Sequence, residues 1–318
     1  MLDMDRLRSS SISDAHAASN LPKAVGRATA AVALLLISLL AGCGQVNESA
    51  YDVDGEDLPR ASQHQFLPPE IMERPALKFQ PPVATSPRVE ITEFTVGASS
   101  KGEKITMTVF GSGSETTLIF GGMHGNEPTS AELAQRLVKH LRDNPDLCGD
   151  RCIVVLPRLN PDGLDAGTRT NANGVDLNRN FPARNWRHVA DGPSFGGTKA
   201  GSETETQALL EVVRLVEPSR IVAIHSIARG RHCNNFDGPA KSLAEAMGRH
   251  NRYPVKASIG YPTPGSFGTW AGVERKIPTI TLELPRDADP DECWRDNRDA
   301  LLAAIRGANE SSSDDLGE

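Results

Sequence analysis

Neither a G-x-x-x-x-G-K-S/T nor a G-x-G-x-x-G phosphate loop occurs in the 318 residues, which sets aside the common nucleotide-binding classes. A surplus of basic residues is also missing. The 34 Lys and Arg face 41 Asp and Glu, a net charge of −7, the wrong sign for a nucleic-acid binder. No C-x-x-C pair is present, so a structural zinc ribbon is not expected. No internal repeat is evident. No apolar run reaches the ~20 residues a membrane-spanning helix needs. Hydrophobic residues at 38% and charged residues at 24% suit a globular protein with polar ends, long enough for one large domain or two small ones.

What is present begins with a targeting segment. Lys23 and Arg27 precede the apolar run 30–41 (AAVALLLISLLA), the length of a signal-peptide core. The run ends in Leu40-Ala41-Gly42-Cys43, which resembles a bacterial lipobox. That resemblance implies a signal over 1–42 and a lipidated Cys43. The protein would then be held at a membrane of the cell envelope, its domain on the extracytoplasmic side. Residues 43–87 carry seven prolines and no apolar period, and read as a tether. The folded domain is expected over 88–306, followed by a disordered acidic tail, 307–318. Four cysteines remain: Cys148, Cys152, Cys233 and Cys293. In an oxidising compartment Cys148–Cys152 would close a small loop and Cys233–Cys293 a long one, although sequence does not fix the pairing.

Within the domain, alternation predicts strands over 89–96 and 104–110. Continuous apolar runs predict buried strands over 117–121, 152–156, 220–225 and 276–284. Helical spacing predicts helices over 128–143, 203–216, 239–250 and 290–306. Strands and helices alternate after residue 116. The expected fold class is therefore α/β, a single domain with a mixed, largely parallel twisted sheet flanked by helices. The segment 158–201 is rich in Asn, Gly, Arg and Pro and lacks a period. A polar segment that long inside a domain is more often functional than idle.

The strand ends carry the chemistry. His124 and Glu127, in Gly121-Gly122-Met123-His124-Gly125-Asn126-Glu127, follow the strand 117–121 at the carboxyl edge of the sheet, where open α/β sheets keep their sites. His225 closes the strand 220–225. Two histidines and one carboxylate, with a fourth position open, are the ligand set of a catalytic zinc site. Glu283 lies in an otherwise apolar strand, costly without a partner, and near a metal it is placed to take a proton from water. The middle segment holds Asn160-Pro161-Asp162-Gly163, then Arg169, then Gly174-Val175-Asp176-Leu177-Asn178-Arg179-Asn180-Phe181-Pro182.

Taken together, and in this order, these motifs resemble the zinc carboxypeptidases over about residues 88–306. The resemblance implies one Zn2+ per chain on His124, Glu127 and His225, with Glu283 as general base and Arg169 stabilising the oxyanion. It also implies Asn178 and Arg179 as the grip on a substrate carboxylate and Tyr261 as the mobile tyrosine, one residue closer to the following Gly-Ser than the family pattern. The segments 264–270 and 280–285 resemble the murein peptide amidase A subgroup. This implies a hydrolase that removes a terminal residue, plausibly by cutting the γ-D-Glu–meso-diaminopimelate bond of a muropeptide. The opening motif is also similar to succinylglutamate desuccinylases and aspartoacylases, so an N-acyl amino acid deacylase is the alternative enzyme. A non-catalytic peptide-binding lipoprotein is the third reading. The expected partners are a peptide or muropeptide and, through the N-terminal lipid, a membrane; oligomeric state is left open.

Overall fold

The computed structural model describes residues 89–307. The expectations for the signal 1–42, for Cys43, for the tether 43–87 and for the tail beyond Gly307 lie outside the described residues.

Short β-rich runs build one eight-stranded mixed sheet in the order β1-β2-β4-β3-β5-β8-β6-β7. Its centre is β3 (Thr116–Phe120), β4 (Cys152–Leu156), β5 (Arg220–Ile227) and β8 (Thr279–Pro285), each parallel to its neighbours within this group. The hairpin β1 (Ile91–Ala98) and β2 (Lys104–Phe110) adds an antiparallel margin against β4. On the far side β6 (Cys233–Asp237) runs antiparallel to β8, and β7 (Val255–Lys256) pairs with β6. Both β6 and β7 escaped the sequence reading. The run Cys-Asn-Asn-Phe-Asp has no apolar alternation, and its strand form depends on pairing with β8, 42 or more residues away.

Helices cover both faces. Along β3, Leu118 and Phe120 enter one apolar cluster while Ile119 enters the other, as a period of two requires. On one face α1 (Pro128–Asp143), α4 (Lys241–Asn251) and α5 (Pro290–Arg306) pack Leu133, Leu137, Met247, Leu301 and Ile305 against the sheet. Proline at the first turn suits α1 and α5, where its missing N–H leaves no bond unmade. Asp289 caps α5 by accepting from the N–H groups of Asp291 and Glu292. On the other face lie α3 (Thr204–Val216), a π-helical turn (Gly268–Glu274) and the long segment after β4.

That segment is more ordered than its composition predicts. It contains a short helix, α2 (Pro161–Ala166), capped by Asn160, and a 3-10 turn, Leu177–Arg179. Buried carboxylates pin it to the turn between β1 and β2. Asn171 Nδ2 donates to Glu203 and Glu205, Asn173 Nδ2 donates to Glu203, and Glu205 accepts from the N–H and Oγ of Ser100. Asp162 accepts from Ser99 Oγ and from the N–H of Lys101.

The cysteine pairings expected for an oxidising compartment are not made. Cys148, Cys152, Cys233 and Cys293 are all free and buried. Burial pushes the thiols of Cys148, Cys233 and Cys293 up to about 11, which keeps them protonated and poorly reactive. They act as small apolar side chains.

Candidate metal centre

The site forms where the chain leaves β3, β5 and β8 at their carboxyl edge. Gly122 takes φ +67°, which bends the chain sharply beyond β3. Gly125 lies so close to α2 that a Cβ there would stand 1.8 Å from the carbonyl carbon of Gly163. Asn160 fastens the same contact, donating from Nδ2 to the carbonyl of Met123. His124 is thus held between these anchors. Ile221 and Ala223 of β5 face the α3 side, and alternation carries His225 to that side too. Ile280, Leu282 and Leu284 of β8 face the other way, so Glu283 shares the side of His225, its partner in register.

His124, Glu127 and His225 converge as the sequence predicts. Nδ1 of His124 is 3.1 Å from Glu127 Oε1 and 3.2 Å from Nδ1 of His225, which is 3.2 Å from Glu127 Oε2. A tetrahedral zinc with ligands at about 2.1 Å separates them by about 3.4 Å, so the donor triangle has the size and the chemistry for that ion. The electrostatics agree. Burial works to lower His124, but the carboxylates of Glu127 and Asp176 outweigh it and raise the imidazole to about 9. Burial works to raise Glu127, yet His124 and His225 hold it well below the usual carboxylate range. The pocket therefore favours a positive charge at its centre.

Asp176 went unassigned in the sequence reading, although it stands inside the longest motif. Its Oδ1 lies 2.9 Å from Nε2 of His124, the far nitrogen of that ring. A carboxylate behind a metal-binding imidazole fixes its tautomer and direction, and that pattern was the signal to look for. The N–H of Ser226 likewise donates to Glu127 Oε2 at 2.9 Å, a backbone contact no side-chain pattern reveals. Arg169 spans the two acids, with Nε 3.0 Å from Asp176 Oδ2 and Nη1 3.4 Å from Glu127 Oε1.

Glu283 is 6% exposed, and its carboxylate accepts no hydrogen bond from the described residues. Burial raises its carboxyl above the ordinary value, with His225 opposing. Asn178 and Arg179 stand on the long segment beside the turn before the π helix. Asn178 Oδ1 accepts from the N–H of Phe267, and Arg179 is buried, with Nη1 donating to the carbonyl of Asn178. Burial lowers Arg179, partly offset by Asp176, and Tyr261 acts electrostatically on the same guanidinium. Tyr261 itself is 46% exposed and is not gathered into the triangle.

Below Glu283 runs a polar strip. Cys233, Asn235 and Asp237 of β6 pair with Glu283, Thr281 and Thr279 and share their side of the sheet. The Oδ1 of Asn235 is buried without a partner. Asp237 abuts the π-helical turn, where a Cβ on Gly268 would stand 2.3 Å from its Oδ2. Burial alone raises the Asp237 carboxyl to about 6.

Comparisons with known proteins agree with this geometry. The sequence profile of the zinc carboxypeptidases matches residues 84–296. Murein peptide amidase A of Vibrio campbellii is 34% identical over 243 residues, which is 70% of this chain and 93% of the relative. The same-named protein of Escherichia coli K12 is 33% identical over 223 residues, 63% of this chain and 86% of the relative. Among solved structures, the murein-tripeptide amidase of Escherichia coli O157 superposes with a TM-score of 0.56 at 29% identity. It covers 69% of this chain and 93% of that one.

Proposed function

Since the chain belongs to the zinc carboxypeptidase family, we propose that it is a murein peptide amidase that cuts the γ-D-Glu–meso-diaminopimelate bond with one zinc ion per chain. The observation that carries the hydrolytic reading is the triangle of His124, Glu127 and His225 with Glu283 alongside His225 in register. The substrate is supported by the amidase relatives, 86–93% of whose length is matched. It is also supported by the polar strip of Asn235, Thr281 and Asp237, which suits a side chain with a polar end better than an apolar one.

The roles follow from position. His124, Glu127 and His225 hold the zinc, and Asp176 keeps the His124 ring aimed. Bound zinc supplies Lewis acidity, polarising a carbonyl and making a water acidic near neutral pH. Glu283 takes the proton of the attacking water and delivers it to the departing amine nitrogen. Its raised carboxyl brings it nearer to the pH at which both transfers run. Arg169, already fixed by Asp176, turns Nη1 toward the oxygen on which negative charge develops. Asn178 and Arg179 bind the carboxylate of the departing residue, the guanidinium fork matching its two oxygens. Tyr261, an exposed side chain, folds over that residue.

Cys43 carries the lipid, residues 43–87 tether the domain, and the enzyme works on the outer side of a membrane. Cys43→Ser is expected to move the protein from the membrane fraction to the soluble one; retention in the membrane would refute the anchor.

The chelated protein is to be assayed with and without one equivalent of zinc on three compounds. These are L-Ala-γ-D-Glu-meso-diaminopimelate, a blocked peptide with a free apolar C-terminus, and N-succinylglutamate. Zinc-dependent cleavage of the first is expected. Preference for the second makes the protein a general carboxypeptidase, and preference for the third makes it a deacylase.

A further inference from the structure

The metal corner holds one more cation than the roles above use. Arg286 lies three residues past Glu283, its position fixed by its N–H donating to the carbonyl of Ile227 at 2.9 Å. Its Nη2 stands 3.9 Å from Glu127 Oε1 and 3.4 Å from the carbonyl of Ser226. Neither contact is a good hydrogen bond. The side chain remains 44% exposed.

Arg169 reaches the same oxygen but differs in its ties, because Asp176 engages it through both Nε and Nη2. Arg179 differs again. Its ionisable neighbours include the Asp176 carboxylate, and it sits beside the turn at Gly265 rather than at the end of β8. Among the described residues three guanidinium groups stand near the centre, and that of Arg286 makes only the long contacts to Glu127 and the Ser226 carbonyl. A dication on Glu127 would take up the charge that holds Arg286 close. The guanidinium would then face a like-charged centre, a placement that an incoming anion relieves.

The substrate proposed above brings three carboxylates to this site. Two belong to the departing diaminopimelate, one of which meets Arg179. The third is the α-carboxylate of D-glutamate on the acyl side, left free because that residue is joined through its γ-carboxyl group. Four single bonds separate it from the scissile carbonyl carbon, a reach of about 5 Å. An acyl residue with a neutral side chain has no charge at that place, whereas an α-linked glutamyl residue would hold its side-chain carboxylate the same four bonds away. We infer that Arg286 binds the free α-carboxylate of the γ-glutamyl residue and so selects acyl residues that carry a carboxylate at that distance from the scissile carbonyl over neutral ones. This rests on the murein reading and adds the acyl-side recognition that reading leaves open.

The test compares the tripeptide L-Ala-γ-D-Glu-meso-diaminopimelate with its isoglutaminyl form, in which the α-carboxyl of D-glutamate is a carboxamide. The zinc-loaded full chain should prefer the acid on the order of tenfold or more in kcat/KM, as expected for a charged bidentate pair. Arg286→Gln should bring that ratio to within about twofold of unity, through KM rather than kcat, and Arg286→Lys should fall between. Binding of both ligands to the zinc-loaded Glu283→Gln protein, followed by calorimetry, should show the same ratio without turnover. A ratio unchanged by Arg286→Gln, or an equal loss on both substrates, overturns the assignment. Cleavage of both forms with equal efficiency by the unaltered protein overturns it too, while leaving the murein reading intact. Cleavage of neither overturns both.

Discussion

Glu127 and Glu283 are two glutamates buried to similar depth on one side of the same sheet, and their surroundings push their carboxyl groups in opposite directions. Glu127 belongs to a corner where every oxygen has a partner: His124, His225, the N–H of Ser226 and Arg169. It is held as an anion. Glu283 heads a strip along β8 and β6 whose groups are short of partners, and burial pushes it toward the neutral form. Asp237 at the other end of the strip behaves the same way. Residue type and depth are shared, so the number of donors around each carboxylate decides whether it can hold a cation or exchange a proton.

Removing the proton carrier should have the largest effect. Glu283→Gln is expected to lower kcat by about 10²–10⁴ while zinc content by metal analysis stays at one per chain. Normal turnover in that variant would erase the distinction between the two glutamates. Within the corner, Arg169→Met should cost about 10²–10³ in kcat with a smaller change in KM. A pure KM effect would make Arg169 a binding group instead. Asp176→Asn keeps the shape but withdraws the charge behind His124, and zinc affinity measured by competition with a chelator should fall about 10–100-fold.

The smallest effect belongs to the strip and is read as stability. The folded Asp237 carboxyl, at about 6, lies above the ordinary 3.8, so the folded chain holds that proton more tightly than the unfolded chain. Stability from this group is therefore intact below about pH 4, declines as the pH rises to about 6, and stays reduced above that. Asp237→Asn should remove the decline, gaining on the order of 1–2 kcal/mol at pH 7 and little at pH 4 in urea titrations. An equal gain at both pH values would mean packing, not ionisation, sets the difference.

The corner was far more legible in the sequence than the strip. His124, Glu127 and His225 are metal-binding types at the ends of apolar runs, and both the runs and the residues are local signals. The helices 128–143 and 290–306 have the predicted bounds, because amphipathic spacing and a proline start are local too. The strip is made by register. Asn235 and Asp237 read as loop residues until β6 is laid against β8 in register with Thr281 and Thr279. Asp176 was visible but mute, since its role exists only through a histidine 52 positions earlier. Arg286 follows a proline and looks like any surface arginine until the fold sets it 3.9 Å from Glu127. The disulfide expectation rested on compartment alone, and the four buried thiols have no part in such a bridge.

The buried acids that tie the Asn-rich segment to the β1–β2 turn carry a last consequence. Glu203 and Glu205 spend their oxygens on Asn171, Asn173 and Ser100, none of which the catalytic proposal requires. They nevertheless immobilise the stretch bearing Arg169, Asn178 and Arg179 before any ligand arrives. Amide protons around 171–176 should exchange with solvent as slowly as those of a sheet, although few of these residues lie in regular structure. If these three side chains have the roles proposed above, the entropy of arranging them is lost once, when the chain folds. Each binding event then has mainly the exposed Tyr261 left to order.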